Sequence, residues 1–218
     1  MNYTQLSDAI QAYAENTEAN FVAEIPVFVQ QAEQRIYNTV QFPSLRKNVT
    51  GTTSANNKYL GCPDDFLAVY SIAAIDDTGA YEYLLNKDVN FIRQAYPVPT
   101  DTGLPRYYAL FGSQSNNINE LTFILGPTPD ASYGVELHYY YYPESIVTAE
   151  TTWLGDNFDT VLLYGSLVEA YTYMKGEADM LQLYNTKYQE ALMLAKRLGD
   201  GMERQDAYRS GQYRQKVV

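Results

Sequence analysis

A block of β-type sequence lies between two segments of helical periodicity, and this order constrains the fold of the chain more than any other feature. It predicts an α+β protein in which a helical bundle is interrupted by one insertion. Two N-terminal and two long C-terminal helices are expected from residues 1–45 and 144–198. Residues 46–143 are predicted to form an antiparallel β-sandwich or a barrel-like block, and residues 199–218 form a C-terminal extension.

The N-terminal helices are predicted from apolar spacing and from residues that begin or end helices. Thr4 or Ser7 is expected to cap the first helix. The second helix is expected to begin near Pro26, because proline is tolerated in a first turn, and to run to about Val40.

The two C-terminal helices have the strongest periodicity in the chain. The patterns predict helices over residues 156–174 and 177–198, with a weakening at Gly199 and Gly201. Apolar residues lie on several faces of the helix at 156–174, which indicates that this helix is central and buried.

The β block is predicted from short β-branched and aromatic runs separated by turn residues. A short helical turn is expected near Asp88–Ala95. The candidate strands are Asn48–Thr53, Phe66–Ile75, Tyr107–Phe111, Leu121–Leu125 and Val135–Tyr142.

The chain offers few groups for catalysis or metal binding. It has one histidine, His138, and one cysteine, Cys62, so the sequence predicts neither a Ser-His-Asp type of triad nor a zinc site. The acid pair Asp64-Asp65 after Pro63 is interpreted as a turn, and no phosphate-binding glycine motif is present. We therefore predict no catalytic residue, no cofactor and no metal ion, with a carboxylate-based hydrolase as a weaker alternative.

The net charge of −11 argues against electrostatic binding to nucleic acid, but it suits a conduit along which DNA slides. The end of the chain differs, because residues 207–218 contain three basic residues and no acid. This segment is either a solvated terminus or a tail that becomes ordered on a partner. The sequence has no signal peptide and no long apolar run, so we expect a soluble protein that neither spans a membrane nor is secreted.

Tyrosine is unusually frequent, with 22 residues, and is typical of protein interfaces. Four tyrosines are consecutive, and strand alternation places two rings on each face of the sheet. The sequence leaves open whether these rings fill a sheet that is covered on both sides or contact a partner. The interface candidates are Tyr139, Tyr140, Tyr141 and Tyr142.

Five segments follow one another in a specific order, and they are IPVFVQQAEQRIYNTV (25–40), CPDDFLAVYSI (62–72), LPRYYALFG (104–112), LTFILGPTPDASYGVELHYYYYP (121–143) and WLGDNFDTVLLYGSLVEAYTYMKGEADMLQLYNTKYQEAL (153–192). Within them, Ala32 and Gly165 are small residues that permit close approach of helices. Taken in this order, the segments resemble the head-to-tail adaptor proteins of short-tailed bacteriophages, the tail tubular protein A-like or phage adaptor family.

This resemblance implies a structural virion protein that forms a ring, expected to be a dodecamer, between the portal protein and a downstream nozzle-like tail protein. DNA would be passing cargo within the ring, and the chain would be in the host cytoplasm before assembly. A C-terminal segment would reach the portal through Tyr208, Arg209, Tyr213, Arg214 and Lys216. The alternatives are a head-completion protein and a tyrosine-rich β module that binds glycans or a receptor.

Overall fold

The computed structural model describes residues 1–40, 42–98, 100–112 and 121–210. It is a mixed α/β protein with two compact units. One unit consists of Met1–Leu45 and the residues from Tyr142 onward, and the other consists of Arg46–Tyr141. We call them the helical unit and the β unit.

Six helices of the described residues belong to the helical unit. Among them, α6 contacts α1, α2, α5 and α7, which confirms that this segment is central. Its buried residues lie on several faces, as the sequence indicated. The helices are α1 (Tyr3–Ala14), α2 (Ala19–Thr39), α4 (Ile146–Ala149), α5 (Trp153–Asn157), α6 (Asp159–Met174) and α7 (Ala178–Ser210).

The beginnings of the N-terminal helices differ from the prediction. Asn2 caps α1, accepting a hydrogen bond from the Gln5 backbone N–H at 2.9 Å, so neither Thr4 nor Ser7 is the cap. Helix α2 begins at Ala19 and passes through Pro26, which was expected in its first turn. An internal proline costs a helix about 3 kcal/mol, and burial of the apolar residues on both sides of Pro26 offsets this cost.

The C-terminal helices also differ in their limits. The helix predicted to begin at Asp156 is divided at Phe158, whose ring packs 5.5 Å from that of Trp153. The last helix was expected to weaken at Gly199 and Gly201, but α7 continues through both to Ser210. Each glycine disfavours a helix by only about 1 kcal/mol, and good helix formers follow them.

The described residues of the β unit form two four-stranded sheets and a short helix, α3 (Val89–Ala95), which confirms the predicted helical turn. In the first sheet the strand order is β1-β8-β3-β4, and in the second it is β2-β7-β6-β5. All pairs are antiparallel except β5 with β6. The strands are β1 (Arg46–Thr52), β2 (Tyr59–Gly61), β3 (Ala68–Ile75), β4 (Tyr81–Tyr83), β5 (Leu85–Asn86), β6 (Tyr107–Leu110), β7 (Thr122–Gly126) and β8 (Gly134–Tyr140).

The described strands form two open sheets that do not close into a barrel, so the barrel-like alternative is wrong. One hydrophobic cluster contains residues from both sheets, including Ile72 and Leu137 from the first and Phe123 and Leu125 from the second. The rings of Phe66 and Phe123 meet edge to face at 5.4 Å. Burial of these side chains stabilises the two sheets together.

Candidate interaction surface

The alternation of side chains along β8 gives the first sheet one buried face and one half-buried face. We call the half-buried face the outer face. Val135, Leu137 and Tyr139 lie in the core of the β unit, whereas Glu136, His138 and Tyr140 lie on the outer face. This division agrees with the alternation expected from the sequence.

Tyr139 is a core residue, 1% exposed, so it does not offer its ring to a partner. Its hydroxyl donates a hydrogen bond to Asp65 Oδ1 at 2.7 Å, and Lys47 Nζ lies 2.7 Å from Asp65 Oδ2. Burial, together with the bond to Asp65, raises the pKa of Tyr139 to about 12. Burial opposes ionisation of Asp65, but its bonds to Lys47 and Tyr139 prevail and lower the pKa of its carboxyl.

Asp65 belongs to the turn that was predicted after Pro63. The Phe66 backbone N–H donates to the Pro63 carbonyl at 3.1 Å, which confirms the turn. The carboxylate of Asp65 joins β1 through Lys47 to β8 through Tyr139. It therefore has a structural role within the β unit.

An arginine and three aromatic rings form a cluster on the outer face. The Arg46 guanidinium carbon lies 4.3 Å from the ring centroid of Tyr70 and 5.5 Å from that of Tyr140. The His138 ring meets the Tyr70 ring edge to face at 4.9 Å. A bulge in β3 between Val69 and Ser71 inserts Tyr70 as an extra residue beside β8, and its side chain is 50% exposed.

Two further tyrosines extend the outer face along the edge strand β4. Tyr81 and Tyr83 stack at 6.5 Å and are 51% and 66% exposed. Tyr81 also makes a hydrogen bond to Glu136, which raises the pKa of the phenol. Glu136 Oε1 in turn accepts a bond from Asn48 Nδ2 at 2.8 Å, so polar contacts cross the sheet from β4 to β1.

The sequence did not identify the most exposed rings of this surface, those of Tyr70, Tyr81 and Tyr83. The four consecutive tyrosines drew attention to β8 instead. The available signal was the alternation in Tyr81-Glu82-Tyr83, in which both rings share one face of a strand. The bulge that presents Tyr70 had no signal in the sequence.

The remaining two interface candidates lie beyond the end of β8. Tyr141 packs against the core of the β unit, with Lys47 Nζ 5.3 Å from its ring. Tyr142 belongs to the helical unit, where its hydroxyl donates to Asn38 Oδ1. The strand was predicted to reach Tyr142, but it ends at Tyr140 because its partner β1 begins opposite, at Arg46.

The portal-contact candidates lie at the end of the chain. Tyr208 and Arg209 lie in the last turns of α7. Tyr213, Arg214 and Lys216 lie outside the described residues. The contacts of these five residues therefore stay a prediction.

The described residues contain no group of three side chains suited to hold a metal ion. Burial raises the pKa of the Cys62 thiol to about 12, so this thiol is not a nucleophile near neutral pH. Nor does any helix in the described ranges have the length and apolar character needed to cross a membrane.

A family model described as SU10 adaptor protein matches residues 1–215. The chain belongs to the SU10 adaptor protein family. The match confirms the resemblance to phage adaptor proteins that the ordered segments indicated. A search of curated proteins finds no match. Membership of the SU10 adaptor family identifies a structural adaptor of a phage, which implies a non-enzymatic role.

Proposed function

We propose that this protein is a head-to-tail adaptor, a virion subunit whose copies form a ring that joins the portal protein to the tail. The observation that carries the proposal is the match to the SU10 adaptor family over residues 1–215. The ring is a dodecamer that surrounds the DNA channel and contacts a downstream nozzle-like protein. The net charge of −11 supports a channel that repels the DNA backbone, so that DNA passes without binding.

In this proposal the helical unit and the β unit have different roles. The helical unit forms a bundle that docks beneath the portal, and the β unit forms a sandwich that faces outward or toward the tail. Packing of α6 against α1, α2 and α7 supports the bundle. The hydrophobic cluster that contains residues of both sheets supports the sandwich.

The C-terminal segment is the proposed portal contact. Residues 207–218 are basic on an otherwise acidic chain, so Arg209, Arg214 and Lys216 can pair with carboxylates of the portal. Tyr208 and Tyr213 add aromatic area that is typical of the energetic centres of interfaces.

Mass measurement of the full chain with and without its portal protein tests the ring. We expect a monomer or a labile oligomer alone and a ring when the portal is present. Absence of co-assembly under every condition would contradict the proposal.

Two charge-reversal variants, each with three substitutions, test the C-terminal contact. Replacing Arg209, Arg214 and Lys216 by glutamate should abolish ring formation on the portal. The matched control replaces three exposed cations elsewhere, Lys87, Lys175 and Lys187, by glutamate and should leave the ring intact. Equal loss in both variants would show that total charge, and not the C-terminal contact, governs assembly.

The exposed rings of Tyr70, Tyr81 and Tyr83 favour a second candidate function, in which the outer face recognises glycans or a receptor by aromatic stacking. Screening the full chain on a glycan array tests this function. Binding that is lost on Tyr83→Ala and kept on Tyr13→Ala, a change at an exposed tyrosine of the helical unit, would support it.

A further inference from the structure

The first sheet has one long open edge. Strand β1 has seven residues, six of them exposed, and within the described part of the chain it pairs only with β8. The strands at the other three sheet edges are shorter, with three residues in β2, three in β4 and two in β5. A long exposed edge presents unpaired backbone N–H and C=O groups and is a template for another strand.

The opposite edge of the same sheet is β4. All three of its residues are exposed, and among the described strands it pairs only with β3. Every neighbouring pair in this sheet is antiparallel, so β1 and β4 run in opposite directions. A second copy in the same orientation therefore brings its β4 antiparallel to β1.

The side chains on the two edges are complementary. The pairing of β4 with β3 places Tyr83 on the outer face and Glu82 on the core-facing side. The pairing of β1 with β8 places Arg46 on the outer face and Lys47 on the core-facing side. An acid and an aromatic ring on one edge thus match a lysine and an arginine on the other.

We propose that β4 of one copy adds to β1 of the next copy in the ring, with Tyr83 opposite Arg46, Glu82 opposite Lys47 and Tyr81 opposite Asn48. The contact joins two different edges of the same sheet, so it is heterologous and continues from copy to copy until a ring closes. The inference rests on the proposed ring and specifies which surfaces form it.

The outer face would become continuous across this contact. Arg46 already stacks on Tyr70 within its own copy, at 4.3 Å. Tyr83, which is 66% exposed, would place its ring beside the Arg46 side chain of the next copy. Lys47, which is bonded to Asp65, would gain a second carboxylate from Glu82 of the neighbouring copy.

Disulfide trapping in the assembled ring tests the strand pairing. Directly opposite Cα atoms in antiparallel strands are about 4.5–5.5 Å apart, within the span of a disulfide. In a Cys62→Ala background, oxidation of the Lys47→Cys/Glu82→Cys chain with portal present should give a ladder of covalent oligomers. The matched control, Lys47→Cys/Tyr83→Cys, places its thiols on opposite faces and should give at least tenfold less of the ladder.

These outcomes distinguish a failure of the proposed strand pairing from a failure of the proposed adaptor function. A ring with no ladder, or with equal ladders in both variants, would overturn the strand pairing and leave the adaptor function standing. Absence of a ring for the unmodified chain would instead refute the proposed function.

A charge reversal at Glu82 decides the case in which the cysteine pair prevents assembly, and it leaves the bond between Lys47 and Asp65 in place. Glu82→Lys should lower the yield of ring by about fivefold, because two lysines then face each other across the strands. Glu82→Gln removes the acid without placing like charges opposite each other and should lower the yield less. A Glu82→Lys variant that assembles like the unmodified chain, or that loses no more ring than Glu82→Gln, would overturn the proposal.

Discussion

Helices α2, α6 and α7 meet at Gly165, and enlarging this residue should destabilise the helical unit. A Cβ atom at Gly165 of α6 would lie 3.2 Å from Ala32 Cβ of α2 and 3.2 Å from Tyr188 Cε2 of α7. Ala32 and Tyr188 are 0% and 1% exposed, so neither can move aside into solvent. Optimal carbon contacts are about 3.5–4.0 Å, so even a methyl group is tight here.

Gly165→Val adds two further methyl groups to this contact. Overpacking of a core costs typically about 1–3 kcal/mol, and the better helix propensity of valine returns only about 0.4 kcal/mol. We therefore expect the free energy of unfolding to fall by about 2 kcal/mol. For a chain of this size the melting temperature should fall by about 4–8 °C.

Urea denaturation followed by far-ultraviolet circular dichroism measures this change. Gly51→Val is the matched control, because a Cβ at Gly51 meets nothing within 4 Å. Its stability should stay within about 0.5 kcal/mol of the unmodified chain. If Gly165→Val were as stable as the control, the close approach of the three helices would not constrain the residue, and our reasoning about their packing would be refuted.

Three further predictions concern buried polar groups of the helical unit. Glu33→Ala should destabilise the chain by about 1–3 kcal/mol in urea denaturation, because the Ile146 N–H, which donates to Glu33 Oε1 at 2.9 Å, loses its acceptor. Burial raises the pKa of Glu33 above its ordinary value of 4.5. Protonated Glu33 therefore stabilises the folded chain at pH values below 4.5, and this stabilisation is lost as the pH rises through the raised pKa of the folded state. Glu33→Gln should therefore gain stability relative to the unmodified chain between about pH 4 and pH 7 in a denaturation series, and a constant difference would contradict it. Tyr188→Phe should be neutral or stabilising by up to about 1 kcal/mol in thermal melts, because the buried Tyr188 hydroxyl has no hydrogen-bond partner among the described residues.

Strong periodicity made the central features of the fold predictable. The segments that became α6 and α7 repeat apolar residues over four or more turns, so tertiary packing and local pattern agree there. Ala32 and Gly165 were expected to permit close approach of helices because they are small, and the structure agrees, since a Cβ added at Gly165 would lie only 3.2 Å from Ala32 Cβ. The alternation along β8 likewise divided its side chains correctly between the two faces of the sheet.

Features that depend on long-range packing were not predictable. Strands β2, β4 and β5 have two or three residues, too few for an alternating pattern to identify a strand by itself, and they form because a neighbouring strand offers hydrogen bonds. Helix α2 continues through Pro26 because its apolar stripe is buried on both sides of the proline. The candidate surface depends on the same kind of information, since Tyr70 reaches the outer face through a bulge and Tyr83 through a three-residue edge strand.

The abundance of tyrosine is therefore explained by two different physical roles. Tyr139 and Tyr133 bury or anchor their rings and donate their hydroxyls to Asp65 and Asp130, at 2.7 and 2.6 Å, so they specify the β unit itself. The ring of Tyr83 is not buried in this way, because two thirds of its side chain faces solvent on an edge strand. An exposed aromatic ring beside an open strand edge invites uncontrolled association unless a specific partner covers it. The neighbouring copy in the proposed ring supplies that cover, because Arg46 and the open edge of β1 recur on every subunit.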